Sequence, residues 1–140
     1  MDHERFEQLV VEGYELLPEW VKHKIRNVAL LVEDEPSHEV RAIEGLAEDE
    51  TLLGYYHGVP LSERGELYGV GVTLPDTITI YRLPTIDMAE EELGGDATDE
   101  ECERAIRQIV ADTVWHEFAH HFGMNEEEVR AREQERGVSS

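Results

Sequence analysis

The residues of this chain best suited to chemistry are His116, Glu117 and His120, which form an H-E-x-x-H pattern. On a helix, two histidines four residues apart lie on neighbouring turns of one face, within roughly 40° of each other. Their ring nitrogens can then reach one metal ion at about 2.0–2.1 Å each. Glu117, beside them, can take a proton from a metal-bound water without being a ligand. The pattern predicts a site for one Zn²⁺ per chain, with hydrolysis as its chemistry.

A catalytic zinc site needs a third protein ligand and keeps one position open for water. The best-placed candidate is Glu126, ten residues after His116, because Gly123 is suited to end the helix and turn the chain back beneath it. The alternative for Glu126 is a carboxylate that only stabilises the start of a final helix, which would run to about Arg136. For the histidine pair, the alternative is two core side chains hydrogen-bonded to their neighbours.

The helix that carries the pattern has a recognisable start. Thr98 followed by Glu101 forms a capping box, in which each side chain bonds the backbone N–H of the other residue. Beyond it, apolar or small residues recur at helical spacing: Cys102, Ile106, Ile109, Val110 and Thr113. The two motif histidines and Glu117 continue this stripe, so we expect all three on the buried face. Cys102 is predicted to be a core residue rather than a nucleophile.

Helices are also predicted near the N-terminus. An amphipathic helix that ends before Pro18 is indicated by the spacing of Phe6, Leu9, Val10, Gly13 and Leu17. Pro18 can open a short second helix. Segment 37–49 allows either a short helix or an ordered loop, because its apolar pattern is thin. The acidic segment 86–97 is predicted to be a loop, either a solvated linker or a lid over the metal.

Four segments have the composition of β-strands: residues 27–33, 51–57, 67–73 and 77–82. The first is apolar at nearly every position, which predicts a strand covered on both faces. The last alternates cleanly; it could offer an edge to which an extended substrate adds, or it could be an ordinary strand of the sheet. Helices packed on a small mixed sheet make α+β the predicted fold class. A length of 140 residues predicts a single domain, 1–140.

Charge is the most unusual property of the composition. With 33 acidic against 12 basic residues, the formal net charge is −21, which disfavours nucleic acids and anionic membranes as partners. The charge could attract basic substrates, or it could only keep the surface solvated. The single cysteine excludes an internal disulfide, and neither a signal-peptide pattern nor an apolar run near 18 residues is present. We therefore expect a cytoplasmic protein.

Long pieces of the chain resemble the small bacterial zincin-like metallopeptidases, minimal domains with an H-E-x-x-H-x-x-G-x-x-D signature. Similar pieces run in the family's order from about residue 6 to residue 130, and they include segments 27–28, 52–61, 75–82 and 114–123. The resemblance implies a zincin-like fold, with His116 and His120 as metal ligands and Glu117 as general base. The family's Asp ligand falls at Glu126, where one extra methylene lengthens the arm. No substrate is implied, because the family is named for its motif.

The leading hypothesis is metal-assisted hydrolysis of a peptide or protein substrate, with basic sequences favoured by the charge. Tyr81, Arg82 and His121 are candidates for contacts with the substrate or its oxyanion, and each also has a structural explanation. Two other functions fit the same residues. One is a non-catalytic metal-binding or protein-interaction module with an acidic surface, in which the fourth metal position is filled. The other is a metal-dependent hydrolase of a small amide or ester.

Overall fold

The computed structural model describes residues 1–25, 28–58 and 76–121 of the chain. These residues contain five helices and three strands: α1 (His3–Glu15), α2 (Glu19–Lys24), β1 (Val28–Glu33), α3 (His38–Glu44), β2 (Gly54–His57), β3 (Asp76–Tyr81), α4 (Arg82–Leu93) and α5 (Asp99–His121). The sheet contains both parallel and antiparallel pairs, and helices pack against it. This architecture confirms the predicted α+β class. The strand expected at 67–73 and the final helix expected beyond Gly123 lie outside the described residues.

β3 is the central strand of the described sheet, whose order is β1-β3-β2. It runs parallel to β1 and antiparallel to β2, so that Ile78 faces Leu30 on one side and Tyr56 on the other. Both sides of β3 are therefore hydrogen-bonded to neighbouring strands. Segment 77–82 therefore offers no free edge to a substrate, and it is an ordinary strand within the sheet. Both faces of β3 are buried, with Ile80 at 0% and Tyr81 at 1% exposure, and the alternation of a strand does not report its place in the sheet.

β1 pairs only with β3 among the described strands, and only one of its faces is covered. Val28, Leu30 and Val32 pack against the core, whereas Leu31 is 44% exposed. The expectation of a strand covered on both faces is therefore wrong. The sequence misled because the outward positions Ala29 and Leu31 are also apolar, which hides the alternation of a half-buried strand.

α1 lies along α5 and holds the helix that carries the motif. Asp2 caps α1 by accepting a hydrogen bond from the N–H of Arg5 at 2.7 Å. The buried face consists of Phe6, Leu9, Val10 and Gly13, which confirms the predicted amphipathic helix. The Arg5 guanidinium donates to both carboxylate oxygens of Glu103 in α5, at 2.9 and 2.6 Å. This paired contact fixes the two helices side by side and in register.

Gly13 allows α1 and α5 to approach closely. A Cβ atom at this position would lie 2.7 Å from the backbone oxygen of Arg107 and 2.9 Å from the Val110 side chain. A backbone oxygen inside a helix cannot rotate away, so any larger residue would push the helices apart. The position requires glycine for space, since its backbone is ordinary α-helix.

Gly13→Ala is expected to lower the free energy of unfolding by about 1 kcal/mol. Overpacking a tight contact costs about 1–3 kcal/mol, and the better helix propensity of alanine offsets roughly 0.8–1.0 kcal/mol of this. Chemical denaturation of the variant and the wild type measures the difference. Gly95→Ala is the matched control, because a Cβ there meets nothing within 4 Å. A Gly13→Ala protein at least as stable as the wild type would contradict the packing argument.

The predicted capping box at the start of α5 is confirmed. The N–H of Glu101 donates to the Thr98 hydroxyl at 3.1 Å, and the N–H of Thr98 donates to the Glu101 carboxylate at 3.2 Å. Along the helix, Trp115 is completely buried and meets the Trp20 ring edge-on, with ring centres 5.7 Å apart. The Cys102 thiol is half-buried against the same core, and burial raises its pKa, which lowers its reactivity. The motif helix is thus anchored in the core for most of its length.

The acidic segment 86–97 is mostly helical, and the prediction of a loop is wrong. α4 begins directly after β3 and runs to Leu93, with Pro84, Thr85 and Ala89 buried. Pro84 lies in the first turn, where its missing N–H leaves no helical bond unmade. The following run of Met, Ala, Glu and Leu favours a helix. Gly94 ends it with a positive φ of 78°, so only residues 94–97 connect α4 to the capping box.

The segment after Pro18 and segment 37–49 each contain a short helix. α2 follows Pro18, as expected, and α3 occupies part of the ambiguous segment 37–49, starting at a Ser37 cap and ending at Gly45 in the left-handed region.

Among the described residues, none of the helices α1 to α5 is long and apolar enough to cross a membrane.

Candidate active site

His116 and His120 lie on the last two described turns of α5, as their spacing predicts. Their ring centres are 6.2 Å apart, and the ring planes meet at 69°. Two imidazoles one helical turn apart are the kind of donors that would hold a zinc ion, which would supply Lewis acidity at this end of α5. The donor chemistry therefore fits zinc.

The orientation of the His116 ring is fixed by the backbone of its own helix. Its Nδ1 lies 2.8 Å from the carbonyl oxygen of Asp112, one turn earlier. Because a carbonyl can only accept, Nδ1 carries the hydrogen in this contact, and in the neutral ring Nε2 then carries the lone pair. Ligating histidines are typically held in this way by a second hydrogen bond. His116 is therefore in the tautomer that offers Nε2 to a metal.

The motif residues do not all lie on the buried face, which corrects the expectation from the stripe. Thr113 is buried, His116 and Glu117 are half-buried, and His120 is exposed. In the last turns of α5 the buried positions are Phe118 and Ala119, so the stripe that contains His120 is no longer the buried face of the helix. The three motif side chains are therefore at least partly accessible from solvent. A site that receives a substrate requires this access.

Glu117 is held by strand β2. The backbone N–H of Tyr56 donates to Glu117 Oε1 at 3.2 Å, across 61 residues of sequence. Burial of the carboxyl raises the pKa of Glu117 above its usual range; the Tyr56 bond and His120 act in the opposite direction. The carboxylate is thus positioned by main chain and partly desolvated, which are properties of a general base.

Gly54 brings β2 close enough for this contact. A Cβ at residue 54 would lie 2.6 Å from Thr113 Cγ2 and 3.1 Å from the backbone oxygen of Thr79. Glycine therefore allows the strand to pack directly on α5, two residues before Tyr56. Sequence reasoning missed this role, although a glycine inside a strand is a known signal of close backbone approach.

Tyr56 also contacts the end of the motif helix through its side chain. Its ring stacks on His121, with centres 3.9 Å apart and planes 16° from parallel. Its hydroxyl donates to Asp76 Oδ2 at 2.6 Å, at the start of β3. Tyr56 thus links the sheet to α5 by two routes, one from the main chain and one from the ring. Nothing in the local sequence pattern identified Tyr56 or Asp76 as residues of the site.

The three residues predicted to contact the substrate or its oxyanion lie in different environments. His121 is exposed beside the motif, on the Tyr56 ring. Tyr81 is 1% exposed, and burial raises the pKa of Tyr81 to about 12, so its phenol stays protonated and shielded from solvent. Arg82 donates to Asp34 at 2.8 Å and to the backbone oxygen of Met1 at 2.9 Å. These contacts give Arg82 a structural role at the N-terminus of the chain.

A cleft of about 400 Å³ opens beside His116 and Glu117. Its walls are residues 51–54, which lead into β2, together with side chains of α4 and α5. Methionine, leucine and isoleucine side chains supply its apolar surface, and Glu92 and Asp112 add carboxylates. The cleft has the size of a small ligand site, and Glu117 forms part of its lining.

The described residues do not complete a metal site by themselves. Within residues 1–25, 28–58 and 76–121, no group of three His, Cys, Asp or Glu side chains could hold a metal. Glu126, predicted for this role, falls outside the described residues, as does Gly123. Among the described residues, the two histidines therefore form an incomplete donor set.

One comparison with known proteins agrees with the sequence pattern. A family model described as zincin-like metallopeptidase matches residues 25–136, well over half of the chain. A solved structure described as a conserved hypothetical protein from Thermo thermophilus is 25% identical, covers 94% of this chain and 99% of its own, and has a TM-score of 0.48. No curated protein matches the chain.

Proposed function

The chain belongs to the zincin-like metallopeptidase family, and from this premise we propose that it is a zinc-dependent hydrolase that cleaves peptide bonds. The observation that carries the proposal is the position of Glu117. Its carboxylate is half-buried, held by the Tyr56 N–H, adjacent to the histidine pair and open to a cleft. A structural metal site would not need a carboxylate kept in place beside the ligands.

The metal would be held by His116, His120 and, as the proposed third ligand, Glu126. Two imidazoles and a carboxylate are a ligand set found in catalytic zinc sites, which leave one position for water. Bound zinc supplies Lewis acidity, which makes a water molecule acidic enough to lose a proton near neutral pH. The Asp112 carbonyl oxygen accepts the hydrogen of His116 Nδ1. This bond favours the tautomer whose Nε2 can bind the metal.

Glu117 moves the proton. Its carboxylate takes a proton from the attacking water and then delivers it to the nitrogen of the leaving amine. The Tyr56 N–H holds one carboxylate oxygen, so the other remains available for the proton. Partial burial strengthens electrostatic interactions at the carboxylate relative to open water.

The proposed substrate is an unfolded peptide or an exposed segment of a protein. β2 and the residues before it form one wall of the cleft, which suits an extended chain. The acidic surface favours basic peptides and disfavours nucleic acids and anionic membranes.

Metal content and hydrolysis together test the proposal. Protein purified without a nickel column is expected to hold about one zinc per chain and to cleave a pool of unstructured basic peptides. Dialysis against a chelator should remove both properties, and added zinc should restore both. Glu126→Ala is expected to weaken zinc binding. One zinc per chain without any hydrolysis would overturn the peptidase proposal and favour a non-catalytic metal-binding module.

A further inference from the structure

Strand β2 lies along helix α5, and successive residues of the two elements meet in step. At Gly54, a Cβ atom would lie 2.6 Å from Thr113 Cγ2. Two residues later on the strand and four residues later on the helix, the Tyr56 N–H donates to Glu117 Oε1 at 3.2 Å. Two strand residues span about 6.8 Å and four helical residues about 6.0 Å. The spacings of β2 and α5 are therefore nearly matched, and the contacts recur on one face of each element.

The next contact in this series joins Gly58 to His121, the last residue of α5. A Cβ atom at residue 58 would lie 3.0 Å from Cε1 and 3.4 Å from Nε2 of the imidazole. The imidazole also stacks on the Tyr56 ring, with centres 3.9 Å apart and planes 16° from parallel. The missing side chain at residue 58 therefore leaves room for His121 to lie against the tyrosine.

The Tyr56 ring is itself held at its far end. Its hydroxyl donates to Asp76 Oδ2 at 2.6 Å, a short hydrogen bond to a carboxyl group that is 8% exposed at the start of β3. The ring also packs against the hydrophobic core, and Tyr56 pairs with Ile78 of β3. The surface on which His121 lies is thus fixed by the sheet.

We propose that Tyr56 is a positioning residue of the reaction, whose ring holds His121 and with it the last turn of α5. His120 precedes His121 in the chain and Glu117 lies one turn earlier, so a shift of this turn would move both. The inference rests on the proposed function, from which Glu117 and His120 take their roles. Tyr56 acts through these residues, because it is not among the described residues that line the cleft.

Tyr56→Leu tests the role of the ring, because it removes the stack and the hydroxyl but keeps the main-chain N–H. In the zinc-loaded full chain, kcat on the basic peptide pool is expected to fall about tenfold, since small displacements of reacting groups slow a reaction strongly. KM should stay within about twofold, as expected when ground-state binding is untouched. Tyr14→Leu is the control, because Tyr14 on α1 is also half-buried against the core. Its kcat should equal that of the wild type.

A pair of substitutions at His121 tests whether the effect passes through the stacked rings. His121→Ala is expected to lower kcat as Tyr56→Leu does, whereas His121→Phe keeps a ring on the tyrosine and should stay within about threefold of the wild type. The double variant Tyr56→Leu/His121→Ala should lose no more than either single variant, because both remove one contact. Since His121 is exposed, its variants are expected to fold even if Tyr56→Leu does not. Equal losses in His121→Ala and His121→Phe would overturn the proposal.

Zinc affinity separates this inference from the proposed function. Competition with a coloured chelator gives the zinc Kd of each metal-free protein. In Tyr56→Leu this Kd is expected to rise about tenfold, the low end of the loss when a contact that orients a metal ligand is removed. Tyr14→Leu should bind zinc as the wild type does. If the wild type cleaves no peptide but the Kd values change in this way, the positioning role stands and the peptidase proposal fails. If Tyr56→Leu matches Tyr14→Leu in both kcat and zinc Kd, the positioning role is wrong.

Discussion

Glu117→Gln is expected to lower kcat by roughly 10²- to 10⁴-fold, the usual contribution of a general acid–base residue. The amide keeps the size of the side chain, and its oxygen can still accept the hydrogen bond from the Tyr56 N–H. It cannot take the proton from water. Because Glu117 is not a proposed ligand, zinc content should stay at the wild-type level. Steady-state kinetics on the basic peptide pool, with metal analysis of the same samples, measures both quantities.

The control for this variant is Glu91→Gln, which removes the same charge from the exposed side of α4. Its kcat should equal that of the wild type. If Glu117→Gln retains full activity with normal zinc content, Glu117 is not the base and the mechanism is wrong. If Glu117→Gln also loses zinc, Glu117 contributes to metal binding, and the proposal that it acts as a base without being a ligand is wrong.

His120→Ala is expected to remove zinc binding while leaving the metal-free fold intact. The side chain is exposed, and substitutions at such surface positions usually change stability by no more than about 0.5 kcal/mol. In the wild type, zinc at 100 times its Kd should raise the free energy of unfolding by about 2.7 kcal/mol. In His120→Ala, added zinc should give no such increase. Thermal unfolding with and without zinc shows the difference.

His23→Ala provides the comparison, because His23 is exposed on α2 and is not a proposed ligand. It should respond to zinc as the wild type does. An equal zinc effect in His120→Ala would place the metal at other residues. A large loss of metal-free stability would instead show that His120 has a structural role despite its exposure.

The parts of this molecule that could be predicted from sequence are those set by local interactions. The capping box at Thr98 and Glu101 and the spacing of His116 and His120 require only helical geometry, and both are present in α5. The buried face of α1 follows from the same helical periodicity of apolar residues. The exposure of His120 did not follow, because it depends on which face of the last turn the rest of the fold covers, and here that face carries Phe118 and Ala119.

Two further differences between the predicted and the observed structure come from contacts between residues that are far apart in sequence. Glu117 meets the Tyr56 backbone across 61 residues, and no periodicity within either segment encodes that pairing. The central position of β3 likewise depends on which strands flank it. Segment 86–97 was misjudged for a different reason. Acidity is common to solvated loops and to the outer faces of helices, and the glutamate and alanine residues of this segment favour a helix.

The hydrogen bond from β2 to Glu117 has a consequence for how such a site can change over time. The donor is a main-chain N–H, which every amino acid except proline provides. Tyr55 and His57 flank it on the opposite face of the strand, away from the core side of Tyr56. Substitutions at those two positions can alter the surface of the strand without touching the anchor of the base. Under the proposed mechanism, the surface of β2 can therefore change, by evolution or by design, while the group that holds the Glu117 carboxylate stays the same.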